Sequence, residues 1–435
     1  MNQSSDKKFL QKKEILEIQS EKLCELMAYL GSNSPYYQKL FKTHRSDANE
    51  IRKPEDLVKI PTTGKEDLQL HNDEFLCVPD SAVIEYTSTS GTLGAPVTIA
   101  LTEKDLQRLA LNEYNTFTCA GCGPNDLFQL MLTLDRQFMA GMAYYSGIRR
   151  LGAGIIRVGP GVPSLQWETI FRLKPTVLVA VPSFLLKLIQ YAGDYQIDPS
   201  ASSVKKVICI GENIRQPDFS LNLLGKKITN AWDLQLFSTY ASTEMQTAFT
   251  ECEAGKGGHH QPELLVVELL DENDQPVKKG EAGEVTITTL GVEGMPLLRY
   301  KTGDICTEHA ETCSCGRETI RLSPVIGRKK QMIKFKGTTL FAPALFDLLS
   351  GMEDISDFVA EVFSNEIGTD EVRLHLLPRG YSEESDHRIR AYLQARLRVT
   401  PQIKYVSAGE IQKLQFPGEG RKPVRFIDKR LSGIS

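Results

Sequence analysis

A stretch rich in hydroxyl groups and glycine carries the residue types that bind phosphate. It reads Glu85-Tyr86-Thr87-Ser88-Thr89-Ser90-Gly91-Thr92-Leu93-Gly94-Ala95-Pro96. Because glycine has no Cβ, backbone amides can approach an anion closely here, while the hydroxyl groups donate hydrogen bonds from the sides. The stretch lacks the Gly-Lys-[Ser/Thr] ending of a Walker loop. It therefore predicts a phosphate-binding loop of another type, and the alternative is an ordinary polar turn between strands.

Three cysteines and a histidine form a second candidate site. Cys252 is followed by His259-His260, and Cys313 and Cys315 form a tight thiol pair further along the chain. Three sulfur ligands and one imidazole suit a tetrahedral Zn²⁺ site. The sequence therefore predicts a structural zinc ion held by Cys252, His259, Cys313 and Cys315, with His260 as an alternative to His259. The other interpretation is buried free thiols beside a surface histidine pair.

Bulk composition excludes several classes of protein. The 435 residues exceed one ordinary hydrophobic core, and a net charge of −4 lacks the basic surplus of a nucleic-acid binder. We find neither a secretory signal nor a run of about 18 apolar residues that would span a membrane. We therefore expect a cytoplasmic protein without nucleic-acid or membrane partners, and leave a homodimer open.

Apolar runs alternate with helical segments in the first half of the chain, after an amphipathic helix predicted at 8–30. The predicted strands lie at 127–132, 154–158, 177–181 and 207–210, and the predicted helices at 139–151, 164–173, 183–193 and 216–224. This alternation is typical of parallel α/β layers. Beyond Trp232 the pattern changes to short β-rich segments, which predict a more antiparallel subdomain. A third unit is predicted from strands at 358–363 and 372–377 and a helix at 384–397.

Five short motifs follow one another in a fixed order along the chain. They are the Thr89–Pro96 loop, Gly211-Glu212, Tyr240-Ala241-Ser242-Thr243-Glu244, Tyr300-Lys301-Thr302-Gly303-Asp304, and Gly327-Arg328 with Lys336-Gly337. Their order and spacing resemble the adenylate-forming superfamily of acyl-CoA synthetases. The segment Asn33-Ser34-Pro35-Tyr36-Tyr37 resembles the phenylacetate–coenzyme A ligase branch of that superfamily.

The resemblance covers nearly the whole chain and implies a mixed α/β fold. It implies a large N-terminal domain, residues 1–330, with α/β layers to about 230 and a β-rich subdomain at about 231–327. A small, mobile α+β C-terminal domain, 331–435, would follow a hinge near Lys330. Rotation about that hinge would separate two half-reactions.

The resemblance also implies an ATP site. Thr89, Ser90, Gly91, Thr92 and Gly94 would hold the β- and γ-phosphates, although Leu93 and Ala95 depart from the usual Thr and Lys of this loop. Gly211 and Glu212 would border the adenine, and the segment Tyr240-Ala241-Ser242 would lie along it, with the Tyr240 ring against the base. Glu244 would bind Mg²⁺, and the neighbouring Thr243 hydroxyl would reach the α-phosphate.

Further contacts are implied for the ribose and the reacting groups. Asp304 would accept hydrogen bonds from both ribose hydroxyls, and Arg328 would contact the ribose or a phosphate. Lys336 and Gly337 complete the nucleotide-binding set. Lys422, in the loop Glu419-Gly420-Arg421-Lys422-Pro423, is the best match to the catalytic lysine, with Lys413 as the second candidate.

The resemblance implies an ATP-dependent enzyme that joins a carboxylic acid to coenzyme A through an acyl-adenylate. The branch favours an aryl or arylacetic acid, and Phe138, Tyr144 and Tyr145 are candidate pocket residues. The cofactors and partners would be ATP, Mg²⁺, coenzyme A and the acid. Two alternatives stay open: an adenylating enzyme that loads a carrier-protein thiol, and an inactive nucleotide-binding regulator.

Overall fold

The computed structural model describes residues 9–89, 97–335, 338–364, 370–397, 401–417 and 423–430. The chain forms two compact units. The first comprises Met1–Thr302 with Cys306–Val325, and the second Gly303–Ile305 with Ile326–Ser435.

The described residues contain eleven α-helices. They are α1 (Lys12–Asn33), α2 (Pro35–His44), α3 (Lys65–Leu70), α4 (Glu103–Cys119), α5 (Met139–Leu151), α6 (Pro163–Leu173), α7 (Pro182–Asp194), α8 (Leu223–Ala231), α9 (Ala342–Ser350), α10 (Glu383–Leu397) and α11 (Ala408–Gln415). Within the described chain, no helix is long and apolar enough to cross a membrane.

Twenty β-strands accompany these helices in the described chain. They are β1 (Glu85–Ser88), β2 (Thr98–Leu101), β3 (Leu127–Leu130), β4 (Gly154–Arg157), β5 (Val177–Ala180), β6 (Lys206–Cys209), β7 (Gln235–Ser242), β8 (Thr247–Glu251), β9 (Gly258–His259), β10 (Leu265–Leu270), β11 (Ala282–Thr289), β12 (Tyr300–His309), β13 (Arg321–Leu322), β14 (Gly327–Arg328), β15 (Met332–Phe335), β16 (Thr338–Phe341), β17 (Ile355–Ser364), β18 (Asp370–Pro378), β19 (Gln402–Tyr405) and β20 (Phe426–Asp428).

One large sheet organises the first unit. Its strand order is β10-β11-β12-β13-β9-β8-β7-β6-β5-β3-β4. The strands from β7 to β4 are parallel, and β7 then pairs antiparallel with β8. All four residues of β5 are buried, as expected for a central strand covered on both faces. The predicted parallel layer is present. The β-rich segment continues the same sheet, because β7 pairs in parallel with β6 on one side and antiparallel with β8 on the other.

Most predicted elements of the α/β layer agree with the structure to within two residues. The exception is the helix predicted at 216–224, which is wrong. The Oδ1 atom of Asp218 accepts a hydrogen bond from the amide of Ser220 at 2.9 Å, which favours a turn at that point. Helix α8 begins only at Leu223, where the Asn222 side chain accepts a hydrogen bond from the Gly225 amide at 2.9 Å.

The second unit has a four-stranded sheet of its own, in the order β19-β18-β17-β20. Strands β17 and β18 are antiparallel, and β20 and β19 add parallel strands at either edge. Leu345 of α9 and Leu393 of α10 are fully buried in a cluster with Ala360 of β17. Ile411 of α11 packs in a smaller cluster that contains Val359, the neighbouring residue of β17. Because successive side chains of a strand point to opposite faces, the helices cover both faces of this sheet.

Candidate active site and metal centre

A tight turn between β7 and β8 carries the predicted metal-binding carboxylate. The Ser242 carbonyl accepts a hydrogen bond from the Gln246 amide at 3.2 Å, and the Ser242 hydroxyl accepts one from the Met245 amide at 3.2 Å. Glu244 is half-buried between these contacts, and its carboxylate has no partner within the described residues. Thr243 lies beside it, and Ala241 is exposed at the end of β7. An anionic oxygen of this kind is available to a hard cation such as Mg²⁺.

Tyr240 connects two of the predicted motifs within the first unit. Its ring lies 5.8 Å from that of Phe249, its partner on β8. Its hydroxyl donates a hydrogen bond to Oγ1 of Thr302 at 3.4 Å. Lys301, the preceding residue, forms ion pairs with Asp274 and with Glu284. Tyr240 of the third motif and Thr302 of the fourth are therefore neighbours in space.

Gly211 and Glu212 follow strand β6. Gly211 has φ of 74°, in the left-handed region that glycine adopts without steric cost. The Glu212 carboxylate accepts a hydrogen bond from the amide of Ser183 at 2.8 Å, in the first turn of α7. A carboxylate at that position is favoured by the free amides and the dipole of the helix. The described contact of Glu212 is thus a helix cap, and its adenine contact stays a prediction.

The base of the predicted phosphate loop is closed by paired backbone. The Thr89 amide donates to the Val97 carbonyl at 3.0 Å, and the Thr89 hydroxyl accepts from the Val97 amide at 3.0 Å. The Ser88 amide donates to the Gln137 carbonyl at 2.9 Å, which joins this loop to the segment before α5. The remaining loop residues that the sequence assigned to phosphate binding lie outside the described residues: Ser90, Gly91, Thr92 and Gly94.

In the second unit, Asp304 and Arg328 are direct partners. They face each other across the antiparallel pair of β12 and β14, and Arg328 Nε donates to Asp304 Oδ1 at 3.1 Å. Asp304 is buried, whereas the Arg328 side chain is 52% exposed. Gly327 allows a close contact, because a Cβ at that position would lie 2.2 Å from the Phe341 ring. Lys336 and Gly337 lie outside the described residues.

The three predicted pocket aromatics occupy different environments. Phe138 caps α5 and is 38% exposed, whereas Tyr144 is buried in the core against Phe117. Burial raises the pKa of Tyr144 well above its usual value. The Tyr145 ring is half-buried and lies 5.7 Å from the guanidinium of Arg157. Of the three, Phe138 and Tyr145 are the ones accessible to a small molecule.

An open cleft of about 340 Å³ lies near the Tyr145 ring. It is lined by Arg157 at the end of β4 and by residues that follow β3 and β4, including Leu132, Leu134 and Pro160. Ligands of α/β proteins bind at the carboxyl ends of parallel strands, where this cleft is found. Arg157 connects the cleft to the Tyr145 ring.

The four predicted metal ligands come together in the first unit. The ligand atoms of Cys252, His259, Cys313 and Cys315 all lie within 4.8 Å of one another. The Cys252 and Cys313 sulfurs are 3.7 Å apart, and the Cys315 sulfur lies 3.5 Å from His259 Nε2. A tetrahedral zinc ion, with Zn–S near 2.3 Å and Zn–N near 2.05 Å, requires separations of about 3.8 Å and about 3.6 Å. The donor set and these two separations fit zinc.

Neighbouring groups orient the cluster and shift its pKa values. Burial lowers the pKa of His259 to about 3, so the imidazole is neutral, and its Nδ1 contacts the Thr319 hydroxyl at 3.0 Å. Burial raises the pKa of Cys252 to about 12. Burial opposes ionisation of Cys315 too, but the hydrogen bonds from Arg317 lower its pKa. Contacts of this kind hold metal ligands in their binding orientation.

The structure distinguishes the two adjacent histidines. His260 contacts the Leu265 carbonyl at 2.6 Å through Nε2, and its ring stacks on Phe249 at 5.7 Å. It therefore packs in the core, whereas His259 joins the cysteines. The alternation of side chains along an extended backbone accounts for the difference, because adjacent residues point in opposite directions.

Of the two candidates for the catalytic lysine, the structure describes only Lys413. Lys422 lies outside the described residues. Lys413 is exposed near the end of α11. Its catalytic role stays the second candidate from sequence.

Sequence reasoning did not find a group of buried polar residues on α4. Asp105, Arg108, Asn112 and Thr116 all have less than a tenth of their surface exposed. Their spacing of three or four residues places them on one face of the helix, and that spacing was the available signal. The sequence does not show that this polar face of the helix is buried against other parts of the chain.

Comparisons with known proteins identify the family. The family model for AMP-binding enzymes matches residues 13–294, and the chain therefore belongs to this family. Membership confirms the resemblance to adenylate-forming enzymes that the motifs indicated.

Individual relatives narrow the class. The phenylacetate–coenzyme A ligase of Thermus thermophilus is 25% identical over 97% of this chain and 98% of its own length. The enzyme of the same name from Escherichia coli is 26% identical over 79% of this chain and 78% of its own. A crystal structure of 2-hydroxyisobutyryl-CoA ligase in the postadenylation state has a TM-score of 0.82 at 19% identity, covering 99% of this chain and 94% of that one. The fold is thus that of an adenylate-forming enzyme, and the relatives support the predicted class of AMP-forming acid–coenzyme A ligase.

Proposed function

We propose that the protein is an ATP-dependent ligase that joins an aryl or arylacetic acid to coenzyme A. In the first half-reaction, a carboxylate oxygen of the acid bonds to the α-phosphorus of ATP and pyrophosphate leaves. In the second, the thiol of coenzyme A bonds to the acyl carbon, AMP leaves with the bonding electrons, and the thiol proton is released. The observation that carries the proposal is the match to the Thermus thermophilus ligase over nearly the whole chain.

Residues described separately in the two units support a nucleotide-dependent reaction. The partner-free carboxylate of Glu244 is suited to Mg²⁺ bound to the ATP phosphates. Asp304, held by Arg328, offers carboxylate oxygens to a ribose diol. Lys422 would neutralise charge that develops between the carboxylate and the α-phosphate. The hinge near Lys330 and the rotation of the C-terminal domain belong to the same proposal.

We assign the acid to the cleft that follows β3 and β4. Its lining combines apolar Leu132 and Leu134 with the charged Arg157, whose guanidinium lies 5.7 Å from the Tyr145 ring. The names of the two ligases given above support an arylacetic acid. The cleft volume of about 340 Å³ lies at the lower end of the range for small-molecule sites, which favours a compact acid.

We further propose that Cys252, His259, Cys313 and Cys315 hold a structural zinc ion. A site with four protein ligands leaves no open coordination position for substrate, so zinc here would stabilise the fold. The cytoplasmic location and the homodimer remain predictions from the sequence.

The test is a pyrophosphate-release assay over aryl, arylacetic and aliphatic acids, with and without coenzyme A. We expect release with a compact aryl acid and formation of its coenzyme A thioester. Glu244→Gln, which conserves size but removes the anionic ligand, should lose adenylate formation. Adenylation without thioester formation would favour the carrier-protein alternative, and no release with any acid would favour the inactive regulator.

A further inference from the structure

The turn that carries Glu244 is held in a strained conformation. Gln246 has φ of 49°, in the left-handed region that residues with a side chain rarely adopt. Its side chain is only 1% exposed, yet neither its Nε2 nor its Oε1 atom has a hydrogen-bond partner among the residues that the structure describes. Unfavourable backbone and unpaired polar atoms persist only where the surroundings enforce them, and they concentrate at functional sites.

Arg108 supplies the contacts that enforce this conformation. Its guanidinium donates to the carbonyl of Gln246 at 2.7 Å and to the hydroxyl of Thr247 at 3.1 Å. It also donates to the carbonyls of Leu264 and Leu290. Arg108 is 6% exposed and has no carboxylate partner in the part of the chain that the structure describes. A buried arginine that binds carbonyl groups instead of a carboxylate uses its rigid donor geometry to fix backbone.

Other residues of the same helix face fix the strand that follows. The Asn112 side chain accepts a hydrogen bond from the Ala248 amide at 2.9 Å, and the Thr116 and Thr250 hydroxyls are 3.2 Å apart. At the start of the helix, Asp105 accepts from the amide of Glu293 at 2.7 Å. Helix α4 is thus bonded to β8 at successive positions, with Arg108 at the end nearest the turn.

We propose that Arg108 is a positioning residue that sets the direction of the Glu244 carboxylate toward the metal–nucleotide complex. This inference rests on the proposed function, in which Glu244 binds the metal. Arg108 itself lies behind the turn and would touch neither substrate nor metal. Its guanidinium holds the carbonyl two residues after Glu244, and Ser242 holds the turn from the other side.

The test measures metal binding independently of catalysis. Mn²⁺, which prefers the same oxygen ligands as Mg²⁺, is titrated by electron paramagnetic resonance into the full chain with ATP. For Arg108→Lys, which keeps the charge but loses the fork of donors, we expect Mn²⁺ binding to weaken by about 10- to 100-fold, as for other residues that orient a metal ligand without touching the metal. Thr247→Val, which removes one contact, should weaken it less and fold more readily.

Two control variants distinguish a positioning role of Arg108 from a general loss of stability. Trp167→Phe removes a buried hydrogen bond to the Leu188 carbonyl elsewhere in the first unit, so it should lower the melting temperature and leave Mn²⁺ binding unchanged. Glu244→Gln gives the loss expected when the ligand itself is absent. Wild-type Mn²⁺ binding in both Arg108→Lys and Thr247→Val would overturn the inference. Wild-type binding in Glu244→Gln would instead refute the metal role of Glu244 and, with it, the proposed site.

Discussion

Glu113, in the middle of α4, should make the stability of the protein depend on pH. Its side chain is 4% exposed. Oε1 accepts a hydrogen bond from Asn112 at 2.8 Å, and Oε2 has no partner in the described part of the chain. Gly147 of α5 packs directly on it, because a Cβ at 147 would lie 2.3 Å from that of Glu113. Burial raises the pKa of Glu113 from 4.5 to about 8, against the opposing hydrogen bonds of Asn112 and Thr116.

The sign of the effect follows from proton binding. Between pH 4.5 and pH 8 the folded chain keeps a proton on Glu113 that the unfolded chain has released. The free energy of unfolding therefore falls as pH rises through this window. A shift from 4.5 to about 8 corresponds to a loss of at most about 5 kcal/mol by pH 8.

The assay compares thermal unfolding of the wild type and Glu113→Gln from pH 5 to pH 8. Glutamine has nearly the same shape and does not ionise. The stability of Glu113→Gln should therefore lack the loss that ionisation of Glu113 causes as pH rises. We expect the wild type and Glu113→Gln to have similar melting temperatures at pH 5, and Glu113→Gln to melt at the higher temperature at pH 8. Glu103→Gln, an exposed position of the same helix, should follow the wild type. Parallel curves for wild type and Glu113→Gln across the whole range would refute a buried, protonated Glu113.

Three further predictions concern the proposed ribose contact, the zinc site and the catalytic lysine. Asp304→Asn should raise the ATP concentration for half-maximal adenylation by about 10- to 100-fold, since hydrogen bonds to a charged group contribute about 1.5–3 kcal/mol each; an unchanged value would count against ribose binding. Cys313→Ser should contain less zinc than the wild type, as measured by elemental analysis, and should melt at a lower temperature, because metal binding contributes folding free energy. Wild-type protein that contains no zinc would refute the zinc site. Lys422→Ala should slow adenylate formation far more than transfer of a pre-formed acyl-adenylate to coenzyme A. Equal losses in both half-reactions would contradict that role.

Local patterns in the sequence were sufficient to predict the strands and helices of the α/β layer and to identify the family. Helix α5 has the predicted bounds, because apolar spacing and the glycine after Leu151 mark a helix and its end. The motif order from the Thr89–Pro96 loop to Gly327 identified the adenylate-forming class, since each motif is a short local signal. The same patterns failed at 216–224, where hydrogen bonds of Asp218 and Asn222 favour a turn and a later helix start.

Which side chains meet depends on long-range packing, which local sequence patterns do not encode. The sequence predicted His259 as the metal ligand and kept His260 as an alternative. In the structure His260 packs on Phe249, and His259 lies with the cysteines. Arg108 and Gln246 are 138 residues apart, and nothing in the sequence links them. Their contact depends on how α4 lies along β8, which is set by burial of whole surfaces. Local periodicity determines the elements, whereas long-range packing determines the geometry of the site.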